Sequence, residues 1–140
     1  MLLNEINKDL FTMSEDFFLA HCISSDAKMG AGIAVEFRKR FKLDSLQKMA
    51  LQKPLEIGKC YKVGRVLNLV TKSSYWQKPT YDSFTKAVIS LKHICEQEGI
   101  KKLAMPRIGC GLDKLQWGKV KEIINDVFSD VDIEITVCTL

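Results

Sequence analysis

Short apolar segments that are typical of β-strands alternate with helical segments along the chain of 140 residues. The strand-like segments are LLNEIN, FFLAHCI, KCYKV, VLNLVT, KKLAMP and DIEITVCTL, and polar turn residues bound them. The dipeptide GR joins KCYKV and VLNLVT, which predicts an antiparallel hairpin. LLNEIN and FFLAHCI are rich in apolar residues and are predicted to be buried strands. Strands that are separated by helices favour parallel pairing with helices on both faces. The sequence therefore predicts an α/β fold, a three-layer α/β/α sandwich with a mixed, mostly parallel sheet.

Three helices are predicted between these strands. The segment GIAVEFRKRF places Ile33, Phe37 and Phe41 at intervals of four residues, which is the spacing of one helical face. A second helix begins after Thr80, a residue type favoured as an N-cap, and ends at Gly99. The third helix, QWGKVKEIINDVF, has one apolar face, formed by Trp117, Val120, Ile124 and Val127.

Composition and charge limit the class of protein. With 46% hydrophobic residues, the chain is long enough to bury one core, which predicts one domain over residues 1–140. The net charge of +4 favours anionic ligands only weakly, and it is far below that of a dedicated DNA-binding surface. The five cysteines are scattered and never form a C-x-x-C pair, so neither a disulfide framework nor a zinc site is predicted.

The same features predict a compartment. No run of about 18 consecutive apolar residues occurs, and the N-terminal segment lacks the apolar stretch of a secretory signal. Unpaired cysteines are typical of a reducing environment. We therefore expect a cytoplasmic protein that has no membrane partner, with access to the nucleus if its source is eukaryotic.

Two loops that follow predicted strands are rich in glycine. KMGAGIA contains Gly30 and Gly32 at the start of a helix, and RIGCGLDKLQW contains Gly109 and Gly111. Glycine can serve a tight turn, or it can let a phosphate approach backbone N–H groups at a helix N-terminus, and the residues alone leave both explanations open. Neither loop has the G-x-G-x-x-G or G-x-x-x-x-G-K-[ST] pattern, so the usual signals for dinucleotide or nucleoside triphosphate binding are missing.

The loops after three strands should open at one edge of a parallel sheet, where ligands bind. This edge would hold Lys72 and Asp113, which are candidates for catalysis. It would also hold His21 and Cys110, a rival pair in which a thiol nucleophile is activated by its base. Three aromatic residues near Lys72 could stack on bases, shield the site from solvent or belong to the core: Tyr75, Trp76 and Tyr81.

The segments KDLF, AHCIS…DAKMGAGIA, TK…KPTY and MPRIGCGLDKLQW, in this order and spacing, resemble the macrodomain family. The resemblance covers residues 8–140. MPRIGCGLD followed by LQW is similar to one subclass, the terminal ADP-ribose protein glycohydrolases, which also deacylate O-acetyl-ADP-ribose and are related to DarG antitoxins that remove ADP-ribose from DNA.

This resemblance implies a function for each motif. Lys72 and Asp113 fall on the two catalytic positions, Asp9 and Leu10 on the adenine site, and no cofactor or metal is implied. The loops would bind the diphosphate and the distal ribose through backbone and side-chain groups. The complete set of implied substrate-binding residues is Asp9, Leu10, His21, Ser24, Met29, Gly30, Ala31, Gly32, Ile33, Ala34, Pro106, Arg107, Ile108, Gly109, Cys110, Gly111, Leu112 and Leu140.

The chain departs from better-known macrodomains at two places. Ser24 and Asp26 stand where many hydrolytic members have an Asn in the first loop, and Cys138 stands where relatives have an aromatic residue near the adenine. The first departure argues against the usual attack by water, and the second predicts weaker stacking on the base. We therefore expect Lys72 to attack the anomeric carbon of an ADP-ribosyl ester, leaving a transient lysyl adduct.

The expected substrates are ADP-ribosylated proteins with glutamate or aspartate esters, and O-acyl-ADP-ribose, acted on by a monomer. Two alternatives stay open. The chain could be a reader that binds ADP-ribose without turnover, or it could act on ADP-ribosylated DNA through a basic surface. The candidate basic surface consists of Arg38, Lys39, Arg40 and Lys42, which could equally be a solvated helix face.

Overall fold

The computed structural model describes residues 1–140, which form one six-stranded sheet and four α-helices. The strands are β1 (Leu2–Asn7), β2 (Phe18–Ser24), β3 (Cys60–Val63), β4 (Val66–Lys72), β5 (Lys102–Met105) and β6 (Glu134–Thr139). The helices are α1 (Ile33–Phe41), α2 (Asp44–Gln52), α3 (Tyr81–Glu98) and α4 (Trp117–Val127), and a short 3₁₀ turn covers Leu10–Thr12.

The strand order across the sheet is β1-β6-β5-β2-β4-β3. Every pairing is parallel except that of β3 with β4, which are joined through Gly64 at a φ of 57°. The predicted mixed, mostly parallel sheet and its hairpin are therefore confirmed. The register of β2 against β4 shifts after Ile23, so that Ser24 pairs with Lys72 at the carboxyl end of both strands.

The helices pack against both faces of the sheet. One core cluster of 21 buried residues lies on the side of α3 and α4, and a second cluster of 15 lies on the side of α1 and α2. The three-layer sandwich is thus confirmed. No helix combines the length and the apolar character that crossing a bilayer requires.

The predicted ends of the longest helix are confirmed. The Thr80 side chain accepts a hydrogen bond from the Ser83 N–H at 3.0 Å, and the Ser83 hydroxyl receives the Thr80 N–H at 3.1 Å, which is a capping box. Gly99 ends the helix in the left-handed conformation, with a φ of 64°. The loop between Lys72 and Thr80 is therefore held at both of its ends by regular structure.

Two expectations about individual elements are wrong. The first strand is not buried: β1 is an edge strand, and Leu2 and Ile6 are 59% and 37% exposed. Helix α2 was not predicted, although its residue Leu46 is fully buried. Its segment DSLQKMALQ does place Leu46, Met49 and Ala50 at helical spacing, and Leu46 and Ala50 pack on the core cluster of this side, so the helix was missed although its pattern is present.

Candidate active site

A cavity of about 840 Å³ opens at the carboxyl ends of β2, β4, β5 and β6. The loops after these strands meet there, as the sequence predicts for a largely parallel sheet. Lys72, Asp113 and every predicted substrate-binding residue except Asp9 and Leu10 line this cavity. The volume lies within the range of small-molecule sites.

Asp9 and Leu10 lie outside the lining. The carboxylate of Asp9 accepts the N–H of Phe11 at 3.0 Å and caps the 3₁₀ turn, whereas the Leu10 side chain is buried in the core. The N–H of the neighbouring Lys8 nevertheless donates to the Thr139 carbonyl at 2.9 Å, and Thr139 lines the cavity at the end of β6. Asp9 is therefore near this end of the cavity, and its proposed contact with adenine stays a prediction.

Sequence reasoning missed a further set of lining residues. Trp117 is one of them, and its indole N–H donates to Glu5 Oε1 at 2.9 Å, which holds the ring at the wall. The motif LQW and the loop TKSSYWQKPTY were signals for part of the set. Tyr75 and Cys138 were already predicted near the site, outside the binding set, and the missed residues are Cys22, Ile23, Lys78, Leu115, Trp117 and Thr139.

Lys72 and Asp113 form an ion pair at the centre of the cavity wall. Lys72 Nζ lies 2.6 Å from Asp113 Oδ1, and the two side chains are only 13% and 14% exposed. Lys72 ends β4, and its carbonyl accepts the Ser25 N–H at 2.9 Å, which fixes its backbone beside the end of β2. The geometry brings together an amine and a carboxylate at a shielded position where a proton can pass directly between them.

Two rows of residues whose backbone N–H groups lack a partner line the same cavity. From Met29 to Ala34, and at Gly109, Gly111, Leu112 and Asp113, the N–H groups have no hydrogen-bond partner within the protein. The first row ends at the N-terminus of α1, where the helix dipole favours a negative charge. The arrangement is suited to an anion with several oxygen atoms, such as a diphosphate.

The glycines also serve the turns themselves. Gly32 and Gly109 have φ values of 62° and 74°, which disfavour residues with a Cβ. A Cβ at Gly109 would lie 2.9 Å from Leu115 Cδ1. The turn explanation for the glycine-rich loops therefore applies at these two positions, and phosphate binding there stays a prediction.

The rival pair of Cys110 and His21 is not formed. Asn68 Nδ2 donates to the Tyr61 carbonyl, which leaves Asn68 Oδ1 facing His21 Nε2 at 2.6 Å; because an amide oxygen only accepts, Nε2 is the donor. The imidazole stacks on Phe37 at 3.9 Å, and burial lowers the pKa of His21 to about 4. Burial also raises the pKa of the Cys110 thiol, which points to the carbonyl of Ile108. Neither residue is placed to activate the other.

The aromatic residues near Lys72 have different surroundings. Tyr75 and Trp76 are 60% and 69% exposed, so neither belongs to the core, and Tyr75 lines the cavity. The Tyr75 N–H donates to Asp26 Oδ2 at 3.1 Å, which ties its loop to the loop after β2. Tyr81 has a structural contact, since its hydroxyl accepts the Gln116 N–H at 3.0 Å.

Comparison with known proteins agrees with this geometry. No model of a known protein family matches the sequence. The chain is 44% identical over 138 residues to the ADP-ribose glycohydrolase OARD1 of Homo sapiens, covering 96% of this chain and 90% of that protein. The chain belongs to this family of ADP-ribose glycohydrolases. The resemblance stated from its motifs is thereby confirmed, as is the prediction that it is a hydrolase.

Solved structures identify the fold of this family member. The macrodomain of Mycobacterium tuberculosis DarG matches with a TM-score of 0.90 at 20% identity, covering 99% of this chain and 98% of that one. The macrodomain of Thermus aquaticus DarG matches with a TM-score of 0.89 at 19% identity, covering 99% of each chain. The fold of this ADP-ribose glycohydrolase family member is therefore that of a macrodomain.

Proposed function

We propose that this protein, a single macrodomain acting as a monomer, releases ADP-ribose from glutamate and aspartate esters on proteins and from O-acyl-ADP-ribose. Membership of the ADP-ribose glycohydrolase family supports hydrolysis of ADP-ribose conjugates. The observation that carries the proposed mechanism is the 2.6 Å contact between Lys72 and Asp113, placed beside two rows of unpartnered N–H groups.

The cavity suggests how ADP-ribose would lie. The diphosphate would accept hydrogen bonds from the free N–H groups of both glycine-rich loops. The adenine would reach towards Asp9 and the end of β6, where Cys138 is buried. The distal ribose would then lie near Ser24, which pairs with Lys72 across β2 and β4. This orientation brings the anomeric carbon to the Lys72 amine.

The chemistry that we propose begins with proton transfer. Lys72 gives a proton to Asp113, which leaves a lone pair on Nζ. Nζ then attacks the anomeric carbon; the N–C bond forms, the C–O bond to the acyl carboxylate breaks, and the carboxylate leaves with the electron pair. Water adds to the same carbon, the C–N bond breaks, and ADP-ribose is released with the amine restored. This sequence applies to esters at the anomeric oxygen.

A reader that only binds ADP-ribose would not need a shielded amine and carboxylate in contact, so the Lys72–Asp113 pair favours the enzyme. The alternative substrate, ADP-ribosylated DNA, depends on the basic face of α1. Two of its four residues are engaged within the protein: Arg38 donates to the Met29 carbonyl, and Arg40 pairs with Glu36 at 3.4 Å. Internal contacts of this kind favour protein and acyl conjugates over DNA.

A parallel assay tests the proposal. The protein is incubated with glutamate-linked ADP-ribosyl protein, with O-acetyl-ADP-ribose and with ADP-ribosylated DNA, and the released ADP-ribose is measured. We expect release from the first two substrates. Binding of ADP-ribose without release from any conjugate would support the reader instead, and release from DNA alone, with a steep salt dependence, would support the alternative substrate.

A further inference from the structure

The glycine-rich loop after β2 has an unusual backbone even where it contains no glycine. Ala27 and Met29 adopt left-handed φ values of 50° and 48°, although such angles are unfavourable for residues with a Cβ. Both side chains are buried, at 1% and 4% exposure. A conformation of this kind persists only where its surroundings hold it.

Two side chains from the helices behind the loop supply such contacts. Gln47 of α2 donates its Nε2 to the carbonyls of Ala27 at 3.1 Å and of Lys28 at 3.2 Å. Arg38 of α1 donates its Nε to the carbonyl of Met29 at 3.3 Å. Three consecutive carbonyls therefore accept hydrogen bonds from side chains of α1 and α2.

The direction of these carbonyls determines the direction of the N–H groups. All peptide bonds are trans, and in a trans peptide the C=O and the following N–H point to opposite sides. The N–H of Lys28 accordingly meets Asp26 Oδ1 at 3.3 Å. The N–H groups of Met29 and Gly30, whose peptide carbonyls are held by Gln47 and Arg38, have no partner, and both residues line the cavity.

We propose that Gln47 and Arg38 are positioning residues that fix these peptide units before a ligand arrives, so that the N–H groups already face a diphosphate. The inference rests on the proposed function, which places the diphosphate of ADP-ribose at this loop. Without the two donors, the peptide units can rotate, and part of the binding free energy must then order them. The unpredicted helix α2 thus supports the site without touching the ligand.

Matched variants test this role. Gln47→Leu keeps the side-chain size and removes both donated hydrogen bonds, and Gln52→Leu changes the same residue type at an exposed position of α2 without such contacts. Arg38→Ala is paired with Lys39→Ala, which removes the same charge one residue further along α1. Calorimetric titration with ADP-ribose and with adenosine, which lacks the diphosphate, is done on each variant.

We expect Gln47→Leu and Arg38→Ala each to weaken ADP-ribose binding by about tenfold, and to raise KM with kcat within about twofold of wild type. Adenosine affinity and both controls should stay at wild-type values. Two results overturn the inference. If ADP-ribose affinity stays within about twofold of wild type, the contacts do not contribute to binding. If adenosine and ADP-ribose lose affinity equally, the contacts support the fold in general. The titrations measure binding and do not need turnover. They therefore test this inference even if the protein releases ADP-ribose from no conjugate, a result that would contradict only the proposed function.

Discussion

The Lys78 amine donates a 2.6 Å hydrogen bond to the carbonyl of Leu112, the residue directly before Asp113. Lys78 belongs to the loop that follows Lys72, so this contact joins the two segments that carry the proposed catalytic pair. A second contact, between the Tyr75 N–H and Asp26, joins the same loop to the end of β2. The amine and the carboxylate are thus held together by the loops before any substrate binds, which favours a preorganised reaction centre.

The first prediction concerns Lys72. Replacement by Ala should abolish release of ADP-ribose and leave ADP-ribose affinity largely intact, because the amine acts on the anomeric carbon and the affinity comes from other contacts. Lys72→Arg should be equally inactive, since guanidinium keeps the charge but does not give up a proton. The measurement is released ADP-ribose, with Lys53→Ala, at an exposed lysine that does not line the cavity, as the control. A Lys72→Arg variant with most of the wild-type rate would favour attack by water.

The second prediction concerns Asp113. Asp113→Ala should slow both steps of turnover: Lys72 must then lose its proton to solvent before it attacks, and the lysyl adduct, which lacks the proton-transfer group for its resolution, persists and accumulates. Borohydride trapping followed by peptide mass spectrometry should then find ADP-ribose on Lys72. Trapping in the Lys72→Ala variant is the control, and an adduct that forms there as well would place the covalent step on another residue.

The third prediction separates two roles of Asp9. Asp9→Ala removes both the cap of the 3₁₀ turn and the proposed hydrogen bond to adenine, whereas Asp9→Asn keeps a good capping group and removes the charge. We expect both variants to lose ADP-ribose affinity, the Ala variant by about 1.5–3 kcal/mol in calorimetry. The Asn variant should keep the wild-type melting temperature. Unchanged affinity in both would refute the adenine assignment.

The sequence predicts the site better than it predicts the elements that support it. The cavity positions of Lys72, Asp113 and the glycines could be predicted because these residues follow strand ends or lie in glycine-rich loops, whereas the catalytic role expected of Lys72 and Asp113 came from the resemblance to the family. Gln47 could not be found in this way, because its two hydrogen bonds cross 19 and 20 positions of the chain and depend on where α2 packs. Contacts of this kind are properties of the tertiary structure alone.

The burial of β1 could not be predicted from the sequence either. LLNEIN has the apolar residues of a buried strand, yet its place in the sheet is decided by pairing with β6, at the far end of the chain. Leu3 packs against the core cluster of α3 and α4, so Leu2 and Ile6 point to the opposite face of β1, where they stay exposed. Periodicity predicts that a strand forms, and only the topology shows which neighbours cover it.

The fourth prediction concerns Gly109. Gly109→Ala should destabilise the protein by about 1–3 kcal/mol, because its φ of 74° is unfavourable with a Cβ and the new atom would lie 2.9 Å from Leu115. Gly118→Ala in α4 is the control: no atom lies within 4 Å of its added Cβ. That variant should gain about 0.5–1 kcal/mol from better helix propensity. Urea unfolding measures both changes, and equal stability of the two variants would contradict the strained geometry.

The last prediction concerns His21 and pH. Burial lowers the pKa of folded His21 to about 4, whereas the unfolded chain has the ordinary value of 6.5. As the pH falls below 6.5, the unfolded state takes up a proton that the folded state does not accept until about pH 4. This contribution to stability is therefore complete above pH 6.5 and is lost between these two values. Burial disfavours the charged imidazolium, and the hydrogen bond to Asn68 offsets only part of this effect.

The free energy of unfolding at pH 7 and pH 5 measures this loss. Between these values, the wild type should lose about 2 kcal/mol more than His21→Gln, which has a neutral amide that does not titrate. His93→Gln changes the other, exposed histidine and should follow the wild type. Equal losses in the wild type and in His21→Gln would mean that the pKa of His21 is the same in the folded and the unfolded states, which would contradict the effect assigned to burial.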